Sequence, residues 1–462
     1  MSDRAQRTRT AEQVFQAKIK FTLVLVVAGL IITAVCVMNT TEATQDHATG
    51  IIIDFDDYKV TWYETDIETE SDPVKLLEDA CDENGFPLVT DSKGNVLEIN
   101  GYLNNEERSW NLWYIERGTT TWVKSESYNI KAKDYSITAW AFRGDGETPT
   151  IAVDSTGVCV YGYQQAHRIV SLSPVTTETV ASVGAANIIV GADYYSNYPD
   201  EINVGKSRGE IANTGTYTDP NYEIVMNLMP DMIIGDGSQY NQVQLCKTAR
   251  ANTNAVILYS GNDIKTIFDN TYIAGIALGY DLAFDMYYGN ATDALDDIDN
   301  VLDTVLHSEK RVMVSLSADV SPYVSGSDTY MDDILGMVYM SNAFSSLDGW
   351  SHINTEMIAQ KDPEIIVIVT SEYAATQEEW DLMYSQLYDT WKATKAYQDG
   401  EIYLLTGDST DLASRSSPRF PRMVELMAEI CYPEAFGMDN MPKYIGNDYM
   451  DYITLSKYLG YI

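Results

Sequence analysis

The chain has 462 residues, 45% hydrophobic and 21% charged, the balance of a globular protein with room for about two or three domains. Its 68 acidic residues against 30 basic ones leave a formal charge of -38. Such a surface repels nucleic-acid phosphates and anionic lipid headgroups, so nucleic-acid binding is excluded. Five scattered cysteines (Cys36, Cys81, Cys159, Cys246, Cys431) contain no C-x-x-C pair, and the four histidines (His47, His167, His307, His352) contain no H-x-x-x-H, which implies neither a disulfide framework nor a zinc site.

The first element is an anchor. Arg4, Arg7, Arg9, Lys18 and Lys20 mark residues 1–20 as a cytoplasmic basic segment, and the uncharged apolar run at 21–38 is long enough to span a hydrocarbon core of roughly 30 Å. A cleaved signal peptide is the alternative, although its apolar region normally runs about 7 to 15 residues and ends in a small-x-small site. Val35 before Cys36 does not fit a lipoprotein signal. Either way the rest of the chain lies outside the cytoplasm, and with the anchor retained the protein is single-pass with its bulk extracytoplasmic. The Thr-rich stretch 39–50 reads as a linker.

Residues 51–161 form a β-rich α+β domain. Tyr58–Tyr63, Ser109–Ile115 and Ser136–Phe142 are strand-like, and one helix starts at Pro73 behind an Asp72 cap. The order of that Pro-Val-x-Leu-Leu helix, the Asn100-Gly101 turn, the Trp110-x-x-Trp113-Tyr strand and the closing strand through Trp140 resembles the ubiquitin-like domain of transcobalamin-type proteins, over about 90 residues. Core packing accounts for the tryptophans themselves.

A new texture begins at His167-Arg-Ile-Val-Ser-Leu-Ser-Pro174: a strand, a Ser-Pro turn, then a helix from Thr176 to Gly184. Further apolar strands at 188–191, 232–235 and 255–259 alternate with helices, which is the pattern of a parallel sheet. An unbroken proline-free helical stretch is expected over 263–307. Strands resume at 310–316, 365–369 and 401–405. One unit occurs twice: Asn221-Tyr-Glu223 opens a short helix that ends at Pro230-Asp231 before an apolar strand, and Asn354-Thr-Glu356 does the same before Pro363-Glu364. A carboxylate in a first helical turn is favoured by the helix dipole alone. Two of them at matching positions in two lobes look like a pair of handles.

Arg168–Pro174 followed by Thr177-Glu178, the two Glu-helix-Pro-acid-strand units, and the closing Ser417-Pro-Arg419 to Tyr432-Pro-Glu-Ala-Phe436 resemble the solute-binding proteins of ABC importers for vitamin B12, haem and ferric siderophores, over about residues 166–437. The resemblance implies two Rossmann-like α/β lobes (166–262 and 310–437), a rigid helical connector at 263–309, a tail at 438–462 and ligand between the lobes. It implies a non-enzymatic protein without a cofactor of its own. Its partners would be an ABC permease with its ATPase, docked through Glu223 and Glu356, and a small-molecule chelate as cargo.

In such a fold the ligand lies beside the carboxyl ends of the strands. Tyr217 and Trp350 each stand six residues before a handle glutamate. In the B12-binding branch that the chain resembles, aromatics at these places face the cleft, and this match favours a flat ligand that stacks. Ser173, Pro174, Tyr194 and Tyr195 are further cleft candidates. Arg415, Arg419 and Arg422 form a basic cluster that either meets an anionic group of the ligand, with Arg419 the chosen residue, or pairs with neighbouring acids. His352, beside Trp350, is a solvated loop residue or a contact to the chelate. There is no G-x-S-x-G elbow, and Gly205-Lys206-Ser207 lacks the earlier glycine of a phosphate loop because Asp200 stands there. The expected cargo is a corrinoid or an iron chelate, with haem and ferric siderophore as alternatives. A surface adhesion protein using the 51–161 domain is the reading from another class.

Overall fold

The computed structural model describes residues 48–261, 263–307, 309–371 and 376–457. The expected anchor at 21–38 lies outside the described residues, as do Cys36 and His47. Among the described residues no helix is long and apolar enough to cross a membrane.

The front of the chain is a five-stranded sheet, ordered β2-β1-β8-β6-β7 and built from β1 (Gly50–Asp56), β2 (Lys59–Glu64), β6 (Arg108–Ile115), β7 (Trp122–Lys124) and β8 (Ile137–Gly144). Gly50 thus belongs to a strand and not to the linker. Helix α1 (Pro73–Asn84) starts where the Asp72 side chain accepts from Val74 N, and stops at Gly85, whose φ of 68° is left-handed. A small sheet of β3 (Leu88–Thr90), β4 (Val96–Ile99) and β5 (Tyr102–Leu103) turns at Asn100 and Gly101, with φ of 49° and 87°, the backbone that a two-residue hairpin requires.

The period-2 alternation of β1 and β6 gives the large sheet two buried faces. Ile51, Ile53, Phe55, Trp110 and Leu112 pack under α1 with Leu76, Leu77 and Trp140. Ile52, Trp113 and Ile115 join a different core, shared with the first lobe and the connector. The segment after β8 stitches the two together: Ser155 N donates to Ile257 O (2.9 Å), and buried Asp154 accepts from Ile257 N and pairs with Arg250.

The first lobe is an all-parallel sheet, β11-β10-β9-β14-β15, of β9 (Ile169–Ser171), β10 (Ile189–Ala192), β11 (Ala212–Asn213), β14 (Met232–Asp236) and β15 (Asn254–Leu258), with a β12–β13 hairpin (Gly215–Thr216, Asp219–Pro220). Its helices are α2 (Pro174–Ser182), α3 (Asp200–Arg208), α4 (Tyr222–Asn227) and α5 (Tyr240–Ala249).

The unbroken helix expected over 263–307 is two helices, α6 (Ile264–Leu278) and α7 (Asp281–Leu302). Gly279 takes a φ of 74° and returns its N–H to the last turn of α6, so the chain reverses and α7 packs back on α6. The sequence contains no proline here, and a single glycine at the end of a turn suffices.

The second lobe has parallel strands β16 (Arg311–Ser315), β20 (Ile365–Val369), β21 (Ile402–Leu405) and β22 (Tyr444–Ile445), extended by antiparallel β17 (Tyr323–Ser325) and β19 (Trp350–His352), with β18 (Ser341–Asn342) beside β16. Its helices are α8 (Tyr330–Met337), α9 (Thr355–Lys361), α10 (Gln377–Ser385), α11 (Asp389–Lys392), α12 (Lys395–Gln398), α13 (Asp408–Ser414) and α14 (Phe420–Cys431). The stretch after residue 437, expected as a tail, supplies β22. It is then clamped by buried Glu425, which accepts from Thr454 N (2.6 Å), Leu455 N (2.7 Å) and Ser456 N (2.7 Å).

The sequence repeat is a structural repeat. Asp231 accepts from His167 N and Arg168 N, and Arg168 Nη2 reaches Leu228 O at the end of α4 (2.7 Å). In the second lobe Glu364 accepts from Arg311 N (3.2 Å), and Arg311 Nη2 reaches Asp362 O at the end of α9 (2.9 Å). In both, an arginine at the head of the first strand caps the carbonyl end of the repeated helix.

Candidate functional site

The loops at the carboxyl ends of both sheets meet across an interlobe cavity of about 350 Å³. Val175 and Thr176 of α2, Asp236 at the end of β14, Tyr259 after β15 and Asn270 of α6 line it from one side; Asp328, Tyr330 and Trp350 line it from the other. Trp350 reaches this place because β19 pairs with β17, setting Trp350 opposite Ser325, directly after Gly349 with its φ of 60°. The indole is 37% exposed.

Tyr194, Tyr195 and Tyr217 form a T-shaped aromatic group at the rim of the first lobe, with ring centroids 5.0 Å and 5.8 Å apart, and Tyr194 is 63% exposed. None of the three lines the 350 Å³ cavity, so the structure separates Tyr217 from Trp350. Gln242 connects the two regions: its Nε2 donates to Tyr217 O (2.6 Å), and its Oε1 accepts from Asp236 N (2.8 Å).

Ser173 faces inward. Its hydroxyl caps α2 by accepting from Thr176 N (3.2 Å) within a buried network that includes Ser171, Thr177 and Ser196, and only 2% of the residue is exposed. Pro174 is the first residue of that helix and half-buried. The next two residues, Val175 and Thr176, are the ones that reach the cavity.

Arg419, expected as an anchor for an anionic ligand, is paired with an acid of the protein itself. It is 3% exposed, and its Nε and Nη2 bind the two oxygens of Glu178 at 2.8 and 2.7 Å, while Arg415 Nη1 binds the same carboxylate at 2.8 Å. Burial pushes the Glu178 carboxyl up, but the guanidinium groups of Arg419 and Arg415 outweigh it and hold the group below the usual carboxylate range. This triad ties α2 of the first lobe to the α13–α14 corner of the second, joined by Asn197 Nδ2 donating to Asp411 (2.6 Å). Beyond it lies a second interlobe cavity of about 410 Å³, bordered by Tyr198, Asp200, Asp408, Asp411, Arg422 and Arg419 itself.

Glu223 and Glu356 are exposed in the first turns of α4 and α9, whose caps Asn221 and Asn354 accept from Ile224 N (3.0 Å) and Met357 N (2.9 Å). His352 sits on β19 with its ring against Tyr323 (3.5 Å) and Nδ1 beside Ser321 O, outside the lining of the cavity. Cys81, Cys159, Cys246 and Cys431 are buried free thiols. Among the described residues no group of three or more His, Cys, Asp or Glu is placed to hold a metal ion.

Sequence reasoning missed Asp236, Tyr259, Asn270 and Asp328 as cavity residues. A usable signal existed for Asp236 and Tyr259, which directly end apolar parallel strands, the position where clefts form. Asp328 and Asn270 carried none.

Two α/β lobes facing each other across a cavity and joined by a helical connector have the architecture of the two-lobed binding-protein class. The profile of the periplasmic binding protein family matches residues 169–409, just over half of the chain, and the chain belongs to that family. Its members are substrate-binding proteins of ABC importers and not enzymes. An uncharacterized ABC transporter substrate-binding lipoprotein of Bacillus subtilis, YvrC, is 25% identical over 291 residues, covering 62% of this chain and 87% of its own. The Fe(3+)-citrate-binding protein YfmC of the same organism is 23% identical, covering 51% and 72%, and the vitamin B12-binding protein of Yersinia pestis is 24% identical, covering 44% and 70%. A periplasmic heme-binding protein of Pseudomonas aeruginosa shares the fold with a TM-score of 0.50 at 21% identity, over 58% of this chain and 93% of that one.

Proposed function

We propose that this chain is the extracytoplasmic receptor of an ABC importer that captures a corrinoid or an iron chelate between its lobes and presents it to the permease through Glu223 and Glu356. The observation that carries the ligand reading is the interlobe cavity lined by Trp350 and Tyr330, with the exposed Tyr194–Tyr195–Tyr217 group on the first lobe outside its lining. Exposed aromatic faces of this kind suit a flat macrocycle or a compact chelate. The names of relatives that bind vitamin B12 and ferric citrate support the same range of cargo.

The basic-then-apolar order of residues 1–38 supports tethering by an uncleaved single-pass anchor, and residues 50–144 support the transcobalamin-like reading through their order of helix, turn and strands. Titrating the purified full chain with cobalamin, haem and a ferric siderophore, followed by visible absorption, tests the receptor reading; spectra unchanged with every ligand would end it. Glu223→Ala combined with Glu356→Ala is expected to leave that affinity intact and abolish uptake by cells, since both carboxylates lie outside the cavity lining.

A further inference from the structure

The cations close to the cleft are each committed to the protein itself. Arg415 and Arg419 are held by Glu178. Arg422 donates to Tyr198 Oη (2.6 Å) and to the carbonyls of Ser456 and Lys457. Lys206 points under the tyrosine loop, where its ammonium caps the carbonyls of Asp193, Tyr194 and Ser196. Burial in that position lowers the Lys206 pKa.

The cavity itself has the opposite character. Its lining contains two carboxylates, Asp236 and Asp328, one from each lobe, and no Lys, Arg or His among the described residues. Neither carboxylate forms an ion pair among the described residues. Asp236 accepts one hydrogen bond, from Ser238 N at 2.8 Å, leaving acceptor capacity on the other oxygen. Asp328 is exposed at the head of the turn into α8. The other polar side chains of the lining are uncharged: hydroxyls, among them those of Thr176, Ser238, Ser260 and Ser416, the Trp350 indole, and the Asn270 amide, which already exchanges bonds with the Tyr259 backbone. Beyond the second wall the field is negative as well: burial pushes the Asp333 carboxyl up, and the charges of Asp263, Asp332 and Asp328 add to this against a hydrogen bond from Ile264 N.

Resting on the receptor reading above, we infer that the cargo exposes no carboxylate to this cavity: it is an uncharged or cationic chelate whose peripheral N–H or ammonium donors are received by Asp236 and Asp328 from opposite lobes. An anionic chelate entering here would lose its hydration against two unpaired carboxylates with no guanidinium or ammonium to receive it. A corrinoid fringed with carboxamides, or a hydroxamate iron chelate bearing a free ammonium, meets acceptors where it offers donors. The two aspartates therefore act as specificity determinants that select among chelates of similar size.

The test uses the full chain and four probes: uncharged dicyanocobinamide, cationic ferrioxamine B, and the anions haemin and ferric citrate, each titrated by intrinsic fluorescence quenching and by equilibrium dialysis. At least one of the first two should bind a hundredfold or more tighter than either anion. Asp236→Asn with Asp328→Asn should weaken the preferred ligand at least tenfold and narrow the gap to the anions. Asparagine keeps the acceptor for Ser238 N and tolerates the left-handed backbone of Asp328 (φ 54°), so the variant retains the fold, which circular dichroism checks. Tightest binding of haemin or ferric citrate would overturn the inference while leaving the receptor reading standing, as would an unaltered ranking in the double variant. Binding of none of the four rejects the receptor reading itself.

Discussion

Glu178→Gln is the most informative single perturbation of this fold. The carboxylate is fully buried and receives three charge-assisted hydrogen bonds, at 2.7, 2.8 and 2.8 Å, from two guanidinium groups that are nearly as buried. Removing one member of such a group leaves the others desolvated and unpaired, a loss of about 3 to 5 kcal/mol. Arg415 keeps Asp411 at 2.9 Å, which softens the loss on that side, whereas Arg419 keeps its place over the Tyr198 ring, with the guanidinium carbon 4.2 Å from the centroid. The lower end of the range, about 3 kcal/mol, is therefore expected. It should appear as a lower urea midpoint followed by tryptophan fluorescence.

A double-mutant cycle with Arg419→Gln isolates the pair, since residues in direct contact couple while distant ones add. A loss below about 1 kcal/mol, the range of solvent-exposed pairs, would refute the view that the triad is a desolvated clasp between the lobes. The pH dependence follows from the direction of the shift. A carboxyl held below its ordinary value of 4.5 in the folded state contributes fully above that value, and its contribution fades as the pH falls through the folded pKa. The wild-type advantage over Glu178→Gln should accordingly vanish at low pH.

Trp350→Ala and Tyr217→Ala should each weaken binding of the accepted chelate about tenfold or more, at about 1.4 kcal/mol per factor of ten, with unfolding midpoints nearly unchanged because both side chains are more than a third exposed. Since only Trp350 lines the cavity, a loss confined to Trp350→Ala would remove the tyrosine group from the site. Tyr58→Ala empties an aromatic cage of Tyr272, Phe284 and Tyr288 and deletes the hydrogen bond from Tyr58 Oη to Asp269 (2.8 Å), which should destabilise the protein by about 3 kcal/mol in urea unfolding. Glu429 is buried beside Glu425; burial first, and that neighbouring charge second, push its pKa up to about 9, and its Oε2 has no hydrogen-bond partner among the described residues. Because the folded state holds this proton and the unfolded state releases it near 4.5, stability should decline from there towards pH 9, and Glu429→Gln should flatten that slope and stabilise the protein at pH 8.

The parts of the fold that were legible in the sequence are those whose signal is local. The apolar runs of β14 and β20 became buried parallel strands, and the Asp72-Pro73 start and Asn100-Gly101 turn appeared as read, because caps and turns depend on a few adjacent residues. The two first-turn glutamates, Glu223 and Glu356, were legible as a matched pair because the unit occurs twice. What failed was long-range. The pairing of Arg415 and Arg419 with Glu178 spans more than 200 residues, so the sequence left the Ser-Arg-Ser-Ser-Pro-Arg stretch open between a ligand contact and salt bridges, and gave no sign that the partner acid lies in the other lobe. Asp328 lies on an unremarkable Ser-Asp-Thr turn, and only the β17–β19 pairing brings its neighbourhood to the cavity. The reversal at Gly279 was missed because one glycine inside an otherwise helical pattern costs only about 1 kcal/mol and does not by itself mark an end.

The front sheet has a mechanical consequence for the cleft. The turn between β1 and β2 carries Tyr58, at a φ of 60°, into the angle between α6 and α7, while Trp62 stacks on Tyr161, whose hydroxyl lies 2.6 Å from that of Tyr272 on α6. The connector is thus gripped from the side by a domain that shares its core with the first lobe. At the cleft floor the Glu178 triad fixes the two lobes to each other directly. A hinge held at both places has little freedom to close around whatever enters, because packed cores and buried ion groups shift between discrete arrangements and do not deform continuously. On the proposed receptor reading, selection then rests on what already lines the open cavity, which gives Asp236, Asp328 and Trp350 more weight than a closing motion could give them.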